Sequence, residues 1–253
     1  VGIQSIFNTL QERFSRPAGT SDAERDEPNP SELRWFAKMG AIQRSTDTEL
    51  LESLHLPDHV VARVYQDLAR MHRWLGNTAE ILRRLRSDPV RVRSVLDIGC
   101  GQGALLDHVH RELGVDVMGI DLRPAPASAP VPIVTGNAVL DPLPTADIAL
   151  AVCVVHHLSE CDFIRLVQNV SLSCRRFIVL DLVRHQLPLV LFRAFLAPFL
   201  YRVNVVDGVT SLRRAYTAAE MRGLVGTALQ GIGGRVHYDV APLYIRQVVD
   251  ISW

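Results

Sequence analysis

The segment Val95-Leu96-Asp97-Ile98-Gly99-Cys100-Gly101-Gln102-Gly103-Ala104-Leu105-Leu106 restricts the fold more than any other stretch of these 253 residues. An apolar run suited to a buried strand passes into three alternate glycines and then into a helical pattern. Glycine lets the chain turn sharply and lets a ligand approach the backbone, while the N–H groups of a starting helix point at it. Strand, glycine loop and helix in that order predict the ligand-binding βα unit of a parallel sheet.

The spacing narrows the ligand. A dinucleotide fingerprint reads G-x-G-x-x-G, with its helix N-terminus facing a pyrophosphate. Here the spacing is G-x-G-x-G, and Asp97 stands two residues ahead. A carboxylate there repels a pyrophosphate and suits an ammonium, so a ligand with a positive charge near the loop is expected.

Beyond Pro89 short β-branched runs alternate with helical patterns, as in an α/β sheet. Strands are expected near residues 94–98, 115–120, 133–135, 148–154, 177–181, 235–240 and 244–251, and helices near 104–113, 161–173, 187–200 and 218–229. Only residues 241–243 separate the last two strands, which forces an antiparallel hairpin. The expected fold class is therefore α/β: a Rossmann-like, seven-stranded, mostly parallel sheet with a terminal antiparallel hairpin, helices on both faces and an N-terminal helical lid. Ile3, Ile6, Phe7, Leu10 and Phe14 recur at helical spacing, and a Pro- and acid-rich stretch follows to Pro30. This divides the chain into an arm and flexible linker (1–30), a helical cap (31–90) and a cofactor-binding domain (91–253).

Composition excludes several functions. Lys+Arg and Asp+Glu are both 27, so no bulk charge attracts nucleic acid or an anionic membrane. Cys100, Cys153, Cys161 and Cys174 include no C-x-x-C pair and are too few for a disulfide scaffold. Residues 1–10 lack a basic, then apolar, secretory pattern. The most apolar stretch, 187–201, is interrupted by Pro188, Arg193 and Pro198 and is short of a bilayer span. The expectation is a soluble, cytoplasmic protein with a small-molecule substrate, no nucleic-acid partner and no stable membrane insertion. Its oligomeric state is not legible.

Asp97-x-Gly99-x-Gly101-x-Gly103, followed by Asp121 at the end of the next strand pattern, resembles the cofactor motifs of the class I S-adenosylmethionine-dependent methyltransferase superfamily, in particular its small-molecule, type 11/12-like bacterial enzymes. The resemblance implies S-adenosylmethionine as cofactor. It assigns Asp97 to its ammonium, Gly99, Cys100, Gly101, Gly103 and Cys153 to its binding site, Asp121 to its ribose, Leu122 to an apolar adenine face and Asn137 with Ala138 to the adenine edge. Asn137 stands where many relatives carry Asp.

The fourth strand pattern ends in His156-His157-Leu158, where ligands of open α/β sheets bind. Adjacent side chains on a strand diverge, so one histidine is expected to face the substrate as general base. His157, farther past the strand, is favoured over His156, the alternative being a structural pair. Relatives that use a metal place acids at this strand end, where Val154 to Leu158 supply none, and His108 and His110 are wrongly spaced on their helix; no metal is expected. Arg214 and Tyr216, in a run resembling a bacterial subgroup with polyketide-like substrates, and Arg73 on the cap are candidates for substrate contact. Thr217 and Glu220 have the spacing of a capping box. The expected activity is O-methylation of a phenolic or polyketide-like hydroxyl in secondary metabolism. The alternatives are C-methylation of an activated ring, or a non-catalytic cofactor-binding assembly protein of the same fold.

Overall fold

Val95, Leu96 and Ile98 are almost completely buried, which places β1 (Ser94–Ile98) inside the sheet. The computed structural model describes residues 42–52 and 56–253. The expected arm and linker, and the first part of the cap, lie outside the described residues.

Helix α1 (Asp58–Trp74) and helix α2 (Asn77–Arg86) precede β1. The alternation then runs α3 (Ala104–Leu113), β2 (Asp116–Asp121), β3 (Ile133–Thr135), β4 (Ala146–Val152), α4 (Glu160–Ser171) and β5 (Cys174–Asp181). It closes with α5 (Gln186–Leu191), α6 (Arg202–Arg214), α7 (Ala218–Ala228), β6 (Arg235–Val240) and β7 (Gln247–Ser252). The sheet order is β3-β2-β1-β4-β5-β7-β6. β7 runs antiparallel to both β5 and β6, and the other pairs are parallel. This is the expected Rossmann-like sheet with its terminal hairpin.

One face of the sheet packs Leu96, Ala149, Phe177 and Ile251 against α4 and α7 through Phe163, Leu166, Met221 and Val225. The other face packs Val95, Ile148 and Ile178 against α2 and α3 through Ile81, Leu85, Leu106 and Val109. Helix α2 therefore lies on the sheet rather than over its strand ends. A third, smaller core belongs to the lid: Phe192, Leu196 and Leu212 pack with Met71, Trp74 and Leu75. Thus α1, the segment from α5 onward and α6 cover the carboxyl ends of the strands.

Three local differences from the sequence reading have physical causes. The expected helix over 187–200 is broken into α5, a π turn at Phe192–Leu196 and a 3-10 turn at Ala197–Phe199, because Pro198 cannot supply a helical N–H. Residues 244–246 do not join β7: Pro242–Tyr244 form a turn in which Leu243 and Tyr244 take positive φ. Helix α6 carries little apolar periodicity because its inward residues include Asn204, Asp207 and Ser211. The Asp207 carboxylate accepts from Leu50 N and Leu51 N at 2.7 and 2.9 Å, so α6 fixes a segment far away in sequence.

Candidate active site

The three glycines of the loop have positive φ, 69° at Gly99, 57° at Gly101 and 80° at Gly103, but they do different work. A Cβ on Gly101 would lie 2.5 Å from the Tyr65 ring of α1, and one on Gly99 would lie 2.3 Å from Val154. Both glycines line a cavity, whereas Gly103 does not. Gly103 is the left-handed N-cap of α3, and a Cβ there would strike Val131 at 2.6 Å. It closes helix against sheet at the back of the loop. Cys100 lines the cavity, with its thiol turned toward Gly119 of β2. Cys153 also lines it, in a left-handed conformation just past β4.

Asp97 is 3 % exposed and carries no hydrogen bond to any described residue. Burial, and then the neighbouring charge of Asp121, push its pKa up to about 8. An orphaned buried carboxylate is costly, and this one faces the cavity, so it fits a ligand's ammonium. Asp121 accepts from Gly101 N at 2.8 Å through one oxygen and from Arg123 N at 2.9 Å through the other. Each oxygen keeps a lone pair for a hydroxyl. Leu122 lies beside it, 71 % exposed, on the cavity wall. Asn137 and Ala138 line the same end. The Asn137 side-chain oxygen accepts from Val139 N at 3.0 Å. That local turn, favoured by Asn, uses one of the two lone pairs of the amide oxygen.

At the other end of the cavity the two histidines behave unlike strand neighbours. They occupy a 3-10 turn, Val155–His157, so their rings do not diverge but lie 4.2 Å apart at 37°. His156 is buried. Its backbone N donates to Asp181 Oδ2 at 2.9 Å, its Nδ1 is 2.7 Å from Asp181 Oδ1, and its Nε2 is 3.5 Å from Glu49 Oε1. Burial opposes charge on this ring, but Asp181 and Glu49 outweigh it and push its pKa up to about 9. In the free protein His156 is therefore held between two carboxylates, with both ring nitrogens engaged. His157 is the more open ring: its Nδ1 is 2.5 Å from Glu52 Oε1, and its Nε2 faces Glu49 Oε2 at 3.9 Å.

Two acids that sequence reasoning missed complete the cluster. Glu49 accepts from the Ser211 hydroxyl at 2.6 Å. Glu52 accepts from Arg214 Nη1 at 2.6 Å, and hydrogen bonds from His157 and Arg214 overcome burial to hold its pKa at about 2. The ligating atoms of Glu49, His156 and His157 all lie within 4.8 Å of one another, a grouping able to hold a metal ion. The acid that Val154 to Leu158 do not supply comes from residue 49, far away in sequence.

Of the substrate candidates, Arg214 lines the cavity and also holds the His157 carbonyl at 3.2 Å. Arg73 lines the cavity from α1, exposed to solvent. Tyr216 does not line it: the ring is 1 % exposed, its hydroxyl donates to Leu158 O at 2.9 Å, and the Arg44 guanidinium sits 3.8 Å from its centroid. Its expected substrate contact is corrected to anchoring the turn after the histidines. His72, also on the wall, is buried and thereby pushed down to about 4, a neutral ring.

One cavity of about 1150 Å³ joins these parts, from Asp97, Gly101 and Asp121 past His157 to Phe192 and Leu212 of the lid core. That volume exceeds the usual small-molecule site of roughly 300–1,000 Å³, leaving room for two ligands side by side.

Residues 65–180 match a protein family described as a methyltransferase domain. A search of curated proteins finds no match. Among solved structures, the plantazolicin methyltransferase BpumL in complex with SAH superposes with a TM-score of 0.60 at 13 % identity, over 80 % of this chain and 92 % of that one. Human N-acetylserotonin methyltransferase in complex with SAM gives 0.51 at 15 % identity, over 83 % of this chain and 62 % of that one. The pyocyanin biosynthetic protein PhzM gives 0.50 at 18 % identity, over 74 % and 59 %. The chain thus has the fold of these methyltransferases, and residues 65–180 within it match a methyltransferase domain.

Proposed function

We propose that the protein transfers a methyl group from S-adenosylmethionine to a hydroxyl of a small, largely apolar organic acceptor, a phenolic or polyketide-like compound of secondary metabolism. The observation that carries this reading is that the unpartnered Asp97 carboxylate and the open face of His157 line one continuous cavity. Four free cysteines suit a reducing, cytoplasmic setting.

When bound, S-adenosylmethionine supplies an electrophilic methyl group on a sulfonium. Asp97 pairs with its ammonium, Asp121 accepts hydrogen bonds from its ribose hydroxyls, and Leu122 covers an adenine face. The lid core formed by Phe192, Leu196 and Leu212 holds the apolar body of the acceptor and excludes water. His157 would take the proton of the acceptor hydroxyl as the O–C bond forms and the methyl–sulfur bond breaks, its electron pair staying on the thioether sulfur, with Glu52 fixing the ring through Nδ1. Alignment and a positioned base are the contributions such a site makes; a base alone supplies about 10² to 10⁴ in rate.

Two calorimetric results follow. Asp121→Ala removes two charge-assisted hydrogen bonds, each worth about 1.5–3 kcal/mol, so affinity for S-adenosylhomocysteine falls roughly 100-fold or more; an unchanged affinity contradicts the ribose assignment. Asp97, protonated below about pH 8 in the free protein, must ionise to pair with the ammonium. Binding therefore releases one proton at pH 7, and affinity rises about tenfold per pH unit from 6 toward 8. Titrations in buffers of different ionisation enthalpy measure that proton, and Asp97→Asn abolishes the slope.

A further inference from the structure

We infer that Glu49, His156 and His157 form a binding site for a divalent transition-metal ion of the zinc type, and that the ion blocks methyl transfer by occupying the nitrogen that would take the proton. The site stands on geometry alone. Both imidazoles turn Nδ1 away to a carboxylate, His156 to Asp181 at 2.7 Å and His157 to Glu52 at 2.5 Å. Both Nε2 atoms are thereby aimed at Glu49, one at each oxygen, at 3.5 and 3.9 Å. Two ligands about 2.0–2.1 Å from a tetrahedral zinc lie roughly 3.4 Å apart, so little movement is needed.

The surroundings are those of a ligand set. A histidine ligand almost always gives its other ring nitrogen to a carboxylate or carbonyl, which fixes the tautomer and raises its basicity. Here both do, and the third ligand, Glu49, is itself held by the Ser211 hydroxyl at 2.6 Å. The ion takes the place of the proton that His156 Nε2 shares with Glu49 in the free protein. Two imidazole nitrogens and one carboxylate oxygen suit zinc, nickel or copper and not magnesium or calcium. An ion bound there occupies His157 Nε2, so the loaded state is a blocked one.

The blocking step rests on His157 acting as base in the proposed reaction; ion binding does not. The two are separated by measuring binding directly. Chelator-treated, dialysed protein is titrated with Zn²⁺, with bound metal counted by elemental analysis, and with Co²⁺, read by its visible absorption. Wild type is expected to take up one ion per chain with the intense spectrum of a tetrahedral site. Glu49→Gln and His157→Asn are expected to lose the spectrum. Glu52→Gln, which touches no ion, is expected to weaken binding 10- to 100-fold. All three changes leave the buried His156–Asp181 pair intact, and circular dichroism checks that each variant folds. Equal binding by wild type and Glu49→Gln, or none by wild type, overturns the site. Once an acceptor is in hand, Zn²⁺ is expected to abolish turnover and a chelator to restore it. Turnover that rises with bound ion overturns the blocking step while leaving the site standing. Absence of any turnover without metal bears on the methyl-transfer reading alone.

Discussion

His157→Ala is expected to lower kcat about 10²- to 10⁴-fold, the range for losing a positioned general base, while leaving affinity for S-adenosylhomocysteine unchanged. The cofactor contacts proposed for Asp97 and Asp121 are made by other elements, β1 and β2. Stability is expected to move little. His157 is partly exposed, and Glu52 keeps its 2.6 Å bond to Arg214 when the ring is gone, so no carboxylate is stranded; exposed pairs of this kind are worth about 0–1 kcal/mol. Chromatographic turnover assays beside thermal denaturation separate the two quantities. A variant that keeps wild-type kcat removes His157 from the reaction.

His156→Ala should behave in the opposite sense, as a folding lesion. Asp181 and Glu49 are both buried, and the imidazolium lies between them. Removing one member of a buried ion pair costs about 3–5 kcal/mol, because the remaining charge stays out of water without its partner. In a domain of this size that lowers Tm by roughly 10 °C. Asp181 retains hydrogen bonds from the backbone N–H groups of residues 156 and 182, which keeps the loss from being larger. A shift of less than about 1 kcal/mol in chemical denaturation contradicts the view of His156 as the buried partner that these two acids share.

The pair shows where sequence reading works and where it stops. Two histidines after β4 were legible as a candidate site because the strand pattern and its direction place them at the ligand-binding edge. Their division of labour was not, since it depends on a 3-10 turn that swings both rings to one side and on acids 107 and 105 residues away. Glu49 and Glu52 sit in a leucine-rich stretch with no motif around them, and contacts from α6, the Asp207 clamp among them, hold that stretch at the cavity. Helix α6 itself was hidden, because it buries polar residues that serve this clamp instead of an apolar stripe.

The glycine loop was the opposite case. Strand, turn and helix are all local, so Asp97, Gly99, Gly101 and Asp121 fall where the spacing puts them. Even there, Gly103 went to packing and Asn137 to its own turn. A spacing rule gives the path of the backbone but not which way each atom faces. Tyr216 is a further example: its motif-like surroundings suggested a ligand, and its hydroxyl instead holds the carbonyl of Leu158.

A crystal grown with S-adenosylhomocysteine tests the whole account most directly. The expected density places the amino-acid ammonium within hydrogen-bond distance of the Asp97 carboxylate, the ribose hydroxyls on Asp121 and the sulfur facing His157. Density that runs elsewhere, or a cleft that stays empty at saturating ligand while a dinucleotide enters it, contradicts it.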